Sequence, residues 1–146
     1  MRSTYSTLMQ SKYFNPAFNS AIFDGPVRIY FAQFHEALAL KIYFMVQQKL
    51  TQELVVAKER AKASGANIMV MIYPTAETFE LSFDAEGAAG SIKGPFEIEK
   101  WNEDVVIGLR GPIEDENLDL LVEALRLTME SWRPAELLRA VAPAEL

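Results

Sequence analysis

Cysteine is absent from the 146 residues, and histidine occurs once, at His35. The missing thiols exclude disulfide bracing, thiolate catalysis, iron–sulfur ligation and a cysteine zinc site, so the fold has to be held by its core. Long apolar runs are also missing. No stretch approaches the roughly 18 apolar residues of a membrane span, and Met1 to Gln10 lack the roughly 7 to 15 apolar residues of a signal peptide. The expectation is a soluble cytoplasmic protein with no membrane span. Basic residues are in short supply, with 14 Lys and Arg against 20 Asp and Glu and a net charge of −6. A general polyanion binder needs the opposite surplus, so nucleic acid is not an expected partner.

What is present is the composition of an ordinary folded domain, 50% hydrophobic and 23% charged. That balance lies far from the low-hydrophobicity signature of disorder, and the length suits one domain. Charge is divided along the chain. Residues 1 to 75 hold eight basic and four acidic side chains, and residues 76 to 146 hold six and sixteen. The halves are of opposite sign and suit attraction within one chain or between two copies.

Residues 1–25 interleave Ser, Thr, Asn and Pro with Tyr5, Tyr13, Phe14, Phe18 and Phe23 and follow neither a helical nor a strand period. They read as an aromatic arm ahead of a single domain over 26–146. The arm lies over the core edge of its own chain or docks on another, because five uncovered aromatics would form an unusually large apolar patch. After the Asp24-Gly25-Pro26 turn signal, Val27 to Phe31 reads as a strand. From Phe34 to Ala63 no Gly or Pro interrupts a helical period, which predicts one long helix, buried nearly all round over Leu38 to Val46 and capped by Gly65.

Ile68 to Ile72 is continuously apolar, as expected of a central strand covered on both faces and parallel to Val27–Phe31 if it pairs there. Alternation then predicts half-solvated antiparallel strands. Phe79, Leu81 and Phe83 point inward in the first, Phe96 and Ile98 in the second, and Val105, Ile107 and Leu109 in the third. Together they would form a meander. Glu114 to Glu116 open an amphipathic helix with Leu118, Leu121, Val122, Leu125, Met129 and Trp132 on its apolar face, and Pro134 starts a short last helix. The fold class expected is α+β: a mainly antiparallel sheet of about five strands, one long helix packed on it and a C-terminal amphipathic helix.

The chain is poor in catalytic signals. His35, at a strand-to-helix junction beside Glu36, is placed where a general base can be held, but adjacent helical residues point apart and form no dyad. Glu97 and Glu99 fall on a wet strand face, Glu103 and Asp104 flank a turn, and Glu114 to Glu116 complement a helix dipole, so each carboxylate has a structural task. Asp84, Glu86 and the cluster from Glu114 to Asp119 lack the spacing of a calcium loop. The glycine-rich segment from Glu86 to Gly94 matches neither phosphate-binding glycine pattern and reads as a connector. No nucleophile elbow or SxxK motif is present. No catalytic residue, metal or cofactor is therefore nominated.

The function expected is that of a non-enzymatic regulatory or adaptor domain, or a small acidic client-holding chaperone. Its partner is another protein or a second copy of itself in a homodimer. The binding surfaces are the aromatic arm and the face of the long helix, and the binding residues named are Tyr5, Tyr13, Phe14, Phe18, Phe23 and His35. The alternatives are a small-molecule sensor with a pocket between sheet and long helix, using His35, Tyr43, Arg28 or Arg110, and an enzyme with His35 as general base.

Overall fold

The structure is a computed structural model that describes residues 10–83, 95–101, 103–110 and 113–131. Five strands form one sheet: β1 (Ser20–Asp24), β2 (Val27–Phe31), β3 (Ile68–Ile72), β4 (Phe96–Trp101) and β5 (Asp104–Leu109), in the order β1-β2-β3-β5-β4. The helices are α1 (Glu36–Lys49), α2 (Thr51–Ser64), α3 (Ala76–Ser82) and α4 (Asp115–Ser131), with a 3-10 turn at Gln33–His35. No helix among the described residues is long and apolar enough to cross a membrane.

The α+β class and the five strands agree with the sequence reading, but the sheet is mixed where a mainly antiparallel one was expected. β3 runs parallel to both neighbours, with Val27 opposite Ile68 on one side and Ile68 opposite Val105 on the other. Only the outer pairs β1–β2 and β4–β5 are antiparallel. The cause is the segment after β3. Phe79 and Phe83, read as alternate residues of a strand, lie one helical turn apart, Phe79 in α3 and Phe83 at its C-cap, and stack with ring centroids 5.0 Å apart, while Leu81 is left exposed. Thr75 starts this helix: its Oγ1 accepts from the Thr78 amide and the Thr78 hydroxyl accepts from the Thr75 amide. A six-residue alternation is too short to separate the two periods when capping residues precede it. The meander is thereby removed.

Three further expectations are corrected. The single long helix is divided at Leu50, whose φ of −119° and ψ of 32° leave the helical region. There the Thr51 hydroxyl donates to the Gln47 carbonyl at 2.7 Å, the back-bonding that bends helices. β5, expected to be half-solvated, is buried on both faces, and Ile98 of the edge strand β4 is exposed where it was expected inside.

The sheet separates two cores. Val27, Ile29, Ile68, Val70, Ile72, Ile107 and Leu109 meet α1, α2 and α4 on one face. Tyr30, Met69, Met71 and Val106 meet α3 and the aromatic rings of Tyr13 and Phe18 on the other. The central strand is therefore buried along its whole length, as its unbroken apolar sequence required. Along α4, Leu118, Leu121, Val122, Leu125 and Met129 form the buried stripe read from the sequence. Trp132, the short helix from Pro134, Asp84 and the glycine-rich segment 86–94 lie outside the described residues.

Candidate functional site

The six residues expected to bind a partner do not share a surface. Tyr5 lies outside the described residues. Tyr13 and Phe18 are buried in the second core, where Tyr13 donates its hydroxyl to Glu99 at 2.6 Å and its carbonyl accepts from the Tyr73 hydroxyl at 2.6 Å. Burial pushes both phenol pKa values far up; for Tyr13 the hydrogen bond to Glu99 adds to the effect. Phe14 is half-buried and packs edge-on against Phe18. Phe23 is exposed on β1 with the Arg28 guanidinium over its ring at 4.7 Å. The arm thus contributes an edge strand and the cover of one sheet face.

His35 closes the 3-10 turn after β2, and Phe34 beside it is 73% exposed. Burial lowers the His35 pKa, and its Nδ1 is enclosed with no hydrogen-bond partner among the described residues. No carboxylate orients the ring among those residues. The side chains weighed for a sensor pocket are also dispersed. Arg110 bonds Glu80 at 3.1 Å over the Phe79 ring, Tyr43 accepts from Gln47 at 2.9 Å, and Arg28 stands at the opposite end of β2 from His35. No group of three His, Asp or Glu side chains gathers closely enough to hold a metal ion among the described residues.

A surface does emerge on the paired helices α1 and α2. Ala39, Ile42 and Val46 point to the sheet, and helical geometry places Ala37, Leu40, Phe44 and Gln48 on the opposite side. Phe44 is 53% exposed and Leu40 37%. Beyond the bend at Leu50 the line continues through Gln52, Val55 and Val56, with Val55 58% exposed. The named residues of this line carry no charge; Lys41, four residues after Ala37 and three before Phe44, stands on the same side and is half exposed. The nearest cation, Lys41, turns aside to Asp115 at 2.5 Å, and Lys49 turns to Asp119 at 3.3 Å.

Sequence reasoning named a face of the long helix as a contact but did not locate this line on it, because it expected Leu38 to Val46 to be buried nearly all round. The available signal was the excess itself. A single buried face needs about three or four apolar positions per two turns, and this run supplies more. Compared with protein-family models, with curated proteins and with solved structures, the chain matches none.

Proposed function

We propose that this protein is a non-enzymatic regulatory or adaptor module that works as a symmetric dimer, pairing through the outward line of α1 and α2. The observation that carries the reading is the apolar stripe around the half-exposed Phe44 and Leu40, whose one charged side chain, Lys41, is paired with Asp115. Interface cores are depleted of charge and enriched in aromatic residues, and an isolated exposed ring at their centre is the usual anchor.

A second copy is the favoured occupant for a physical reason. A two-fold contact sets residues near the axis against themselves, so any charge there would meet its own sign. Ala37, Leu40, Phe44, Gln48 and Gln52 satisfy that requirement with two aliphatic side chains, one ring and two amides, and the charge of Lys41 beside them is met by Asp115 of its own chain. The chain's net charge of −6 opposes approach at long range, but salt screens it beyond roughly 8 Å.

The test is the mass of the full chain in solution at increasing concentration, with Phe44→Glu as the comparison. A dimer that becomes a monomer in the variant, with unchanged circular dichroism, supports the reading. Added salt should strengthen the pairing slightly, because it screens repulsion without touching an apolar contact. A monomer at every concentration defeats it.

A further inference from the structure

We propose that the cleft between the Gly25–Pro26 turn and the C-terminal end of α2 binds a small organic molecule bearing one carboxylate. The cleft has a volume of about 450 Å³ and is walled by Arg28, Lys58, Lys62, Pro26, Ala61 and Ala66. That volume is within the range of small-ligand sites, roughly 300 to 1,000 Å³.

Arg28 is prepared for an anion. Its Nε donates to the Asn67 side-chain oxygen at 3.1 Å, and its guanidinium lies 4.7 Å from the Phe23 ring centroid. These two contacts set its plane and leave the Nη edge uncommitted, since no carboxylate lies within ion-pair distance of it among the described residues. A guanidinium fixed in this way presents two parallel N–H donors at the spacing of a carboxylate. The opposite wall adds Lys58, held by Asp24 at 2.9 Å, and Lys62, held loosely by Glu59 at 3.6 Å.

Charge balance selects the ligand. Lys58 and Lys62 are each held by a carboxylate and Asp104 accepts from the Asn67 amide at 2.8 Å, so Arg28 is the one cation of the cleft without a carboxylate within ion-pair distance among the described residues. The end of α2 adds the negative pole of a helix dipole, which opposes any anion and a dianion more strongly. A single carboxylate matches that one uncommitted guanidinium, and a phosphomonoester would bring a second negative charge with no free cation among the described residues to meet it. The rest of the molecule has an apolar floor in Pro26, Ala61 and Ala66. It also has open space over Gly65, whose φ of +74° caps α2 and above which an added methyl would meet nothing within 4 Å.

Binding is read by amide chemical shifts of the isotope-labelled full chain titrated with benzoate, phenylacetate and hexanoate, with benzamide and phenyl phosphate as uncharged and dianionic controls. The expected result is saturable shifts at Gly25, Arg28 and Gly65 to Asn67 with at least one carboxylate, about tenfold or more weaker with either control. Arg28→Gln and Lys62→Glu should each weaken that binding by about tenfold, and Arg126→Gln should leave it unchanged. Lys62 is 76% exposed, so its variant keeps the fold and decides the matter if Arg28→Gln does not fold. No saturable shift with any of the three carboxylates, tighter binding of phenyl phosphate, or full binding by Lys62→Glu would each overturn the proposal.

Discussion

Gly108 sits in the buried strand β5 with the ring of Phe83 where a side chain would be. A Cβ built there would lie 2.3 Å from Phe83 Cε1 and 2.5 Å from Cζ. The ring cannot retreat easily, because it stacks on Phe79, meets Tyr73 edge-on and packs against Tyr13 at a tilt. Gly108→Ala should therefore lower stability by roughly 1–3 kcal/mol, the ordinary cost of overpacking a dense core. Urea denaturation measures it, and a midpoint equal to that of the parent chain would contradict the packing described.

Two titrating side chains act at the same scale, in separate pH windows. Burial lowers the His35 pKa below its ordinary 6.5, so the unfolded chain takes up that proton first. The contribution is complete above pH 6.5 and declines as pH falls from there through the folded value. At Asp24 burial alone would raise the pKa, but hydrogen bonds from Gln47 and Lys58 and the Lys58 charge outweigh it and hold the carboxyl below its ordinary 3.8. Its stabilisation is complete above pH 3.8 and is lost as pH falls through the lower folded value. Urea midpoints measured against pH should decline in both windows. His35→Gln should flatten only the upper decline and Asp24→Asn should reduce only the lower one.

At the scale of elements, the segment read as an arm is part of the sheet. β1 pairs with β2 from Ser20 opposite Phe31 to Asp24 opposite Val27, and Gly25 supplies the φ of +61° that the two-residue turn requires. Upstream, Tyr13 and Phe18 roof Met69, Met71 and Tyr73. Removing residues 1–25 should consequently abolish cooperative unfolding and expose the second core to a hydrophobic dye. A truncated chain with the full-length urea midpoint would restore the arm to the status of an appendage. The strand was not legible because Ser20 to Asp24 is partly or fully exposed at every position, so its apolar alternation is weak. What holds it is the ladder to β2, which composition does not report.

At the scale of the whole molecule, the two cores share β3, β5 and β2, and the helices on either face are what make a mixed sheet possible. Parallel pairing needs a crossover, and α1 with α2 supplies the one between β2 and β3. The same crossover carries the proposed pairing surface on its outward side, while its far end walls the proposed cleft. The two proposals therefore sit at separate places on one helical layer, and the Phe44→Glu and Lys62→Glu variants test them independently.

The sequence by itself determined the class of fold, the buried central strand, the turn at Gly25, the cap at Gly65 and the apolar face of α4. Each rests on a local property: an unbroken apolar run, a left-handed φ that favours glycine, or a period of 3.6 sustained over four turns. Tertiary structure alone decided that Phe79 to Phe83 is helical, that the sheet is mixed, that Tyr13 and Phe18 are interior, and that Phe44 is left outside. Those outcomes depend on which apolar surfaces find each other across the sheet. Hydrophobicity states how much surface a residue would gain by burial, and only packing decides whether a partner is there to bury it.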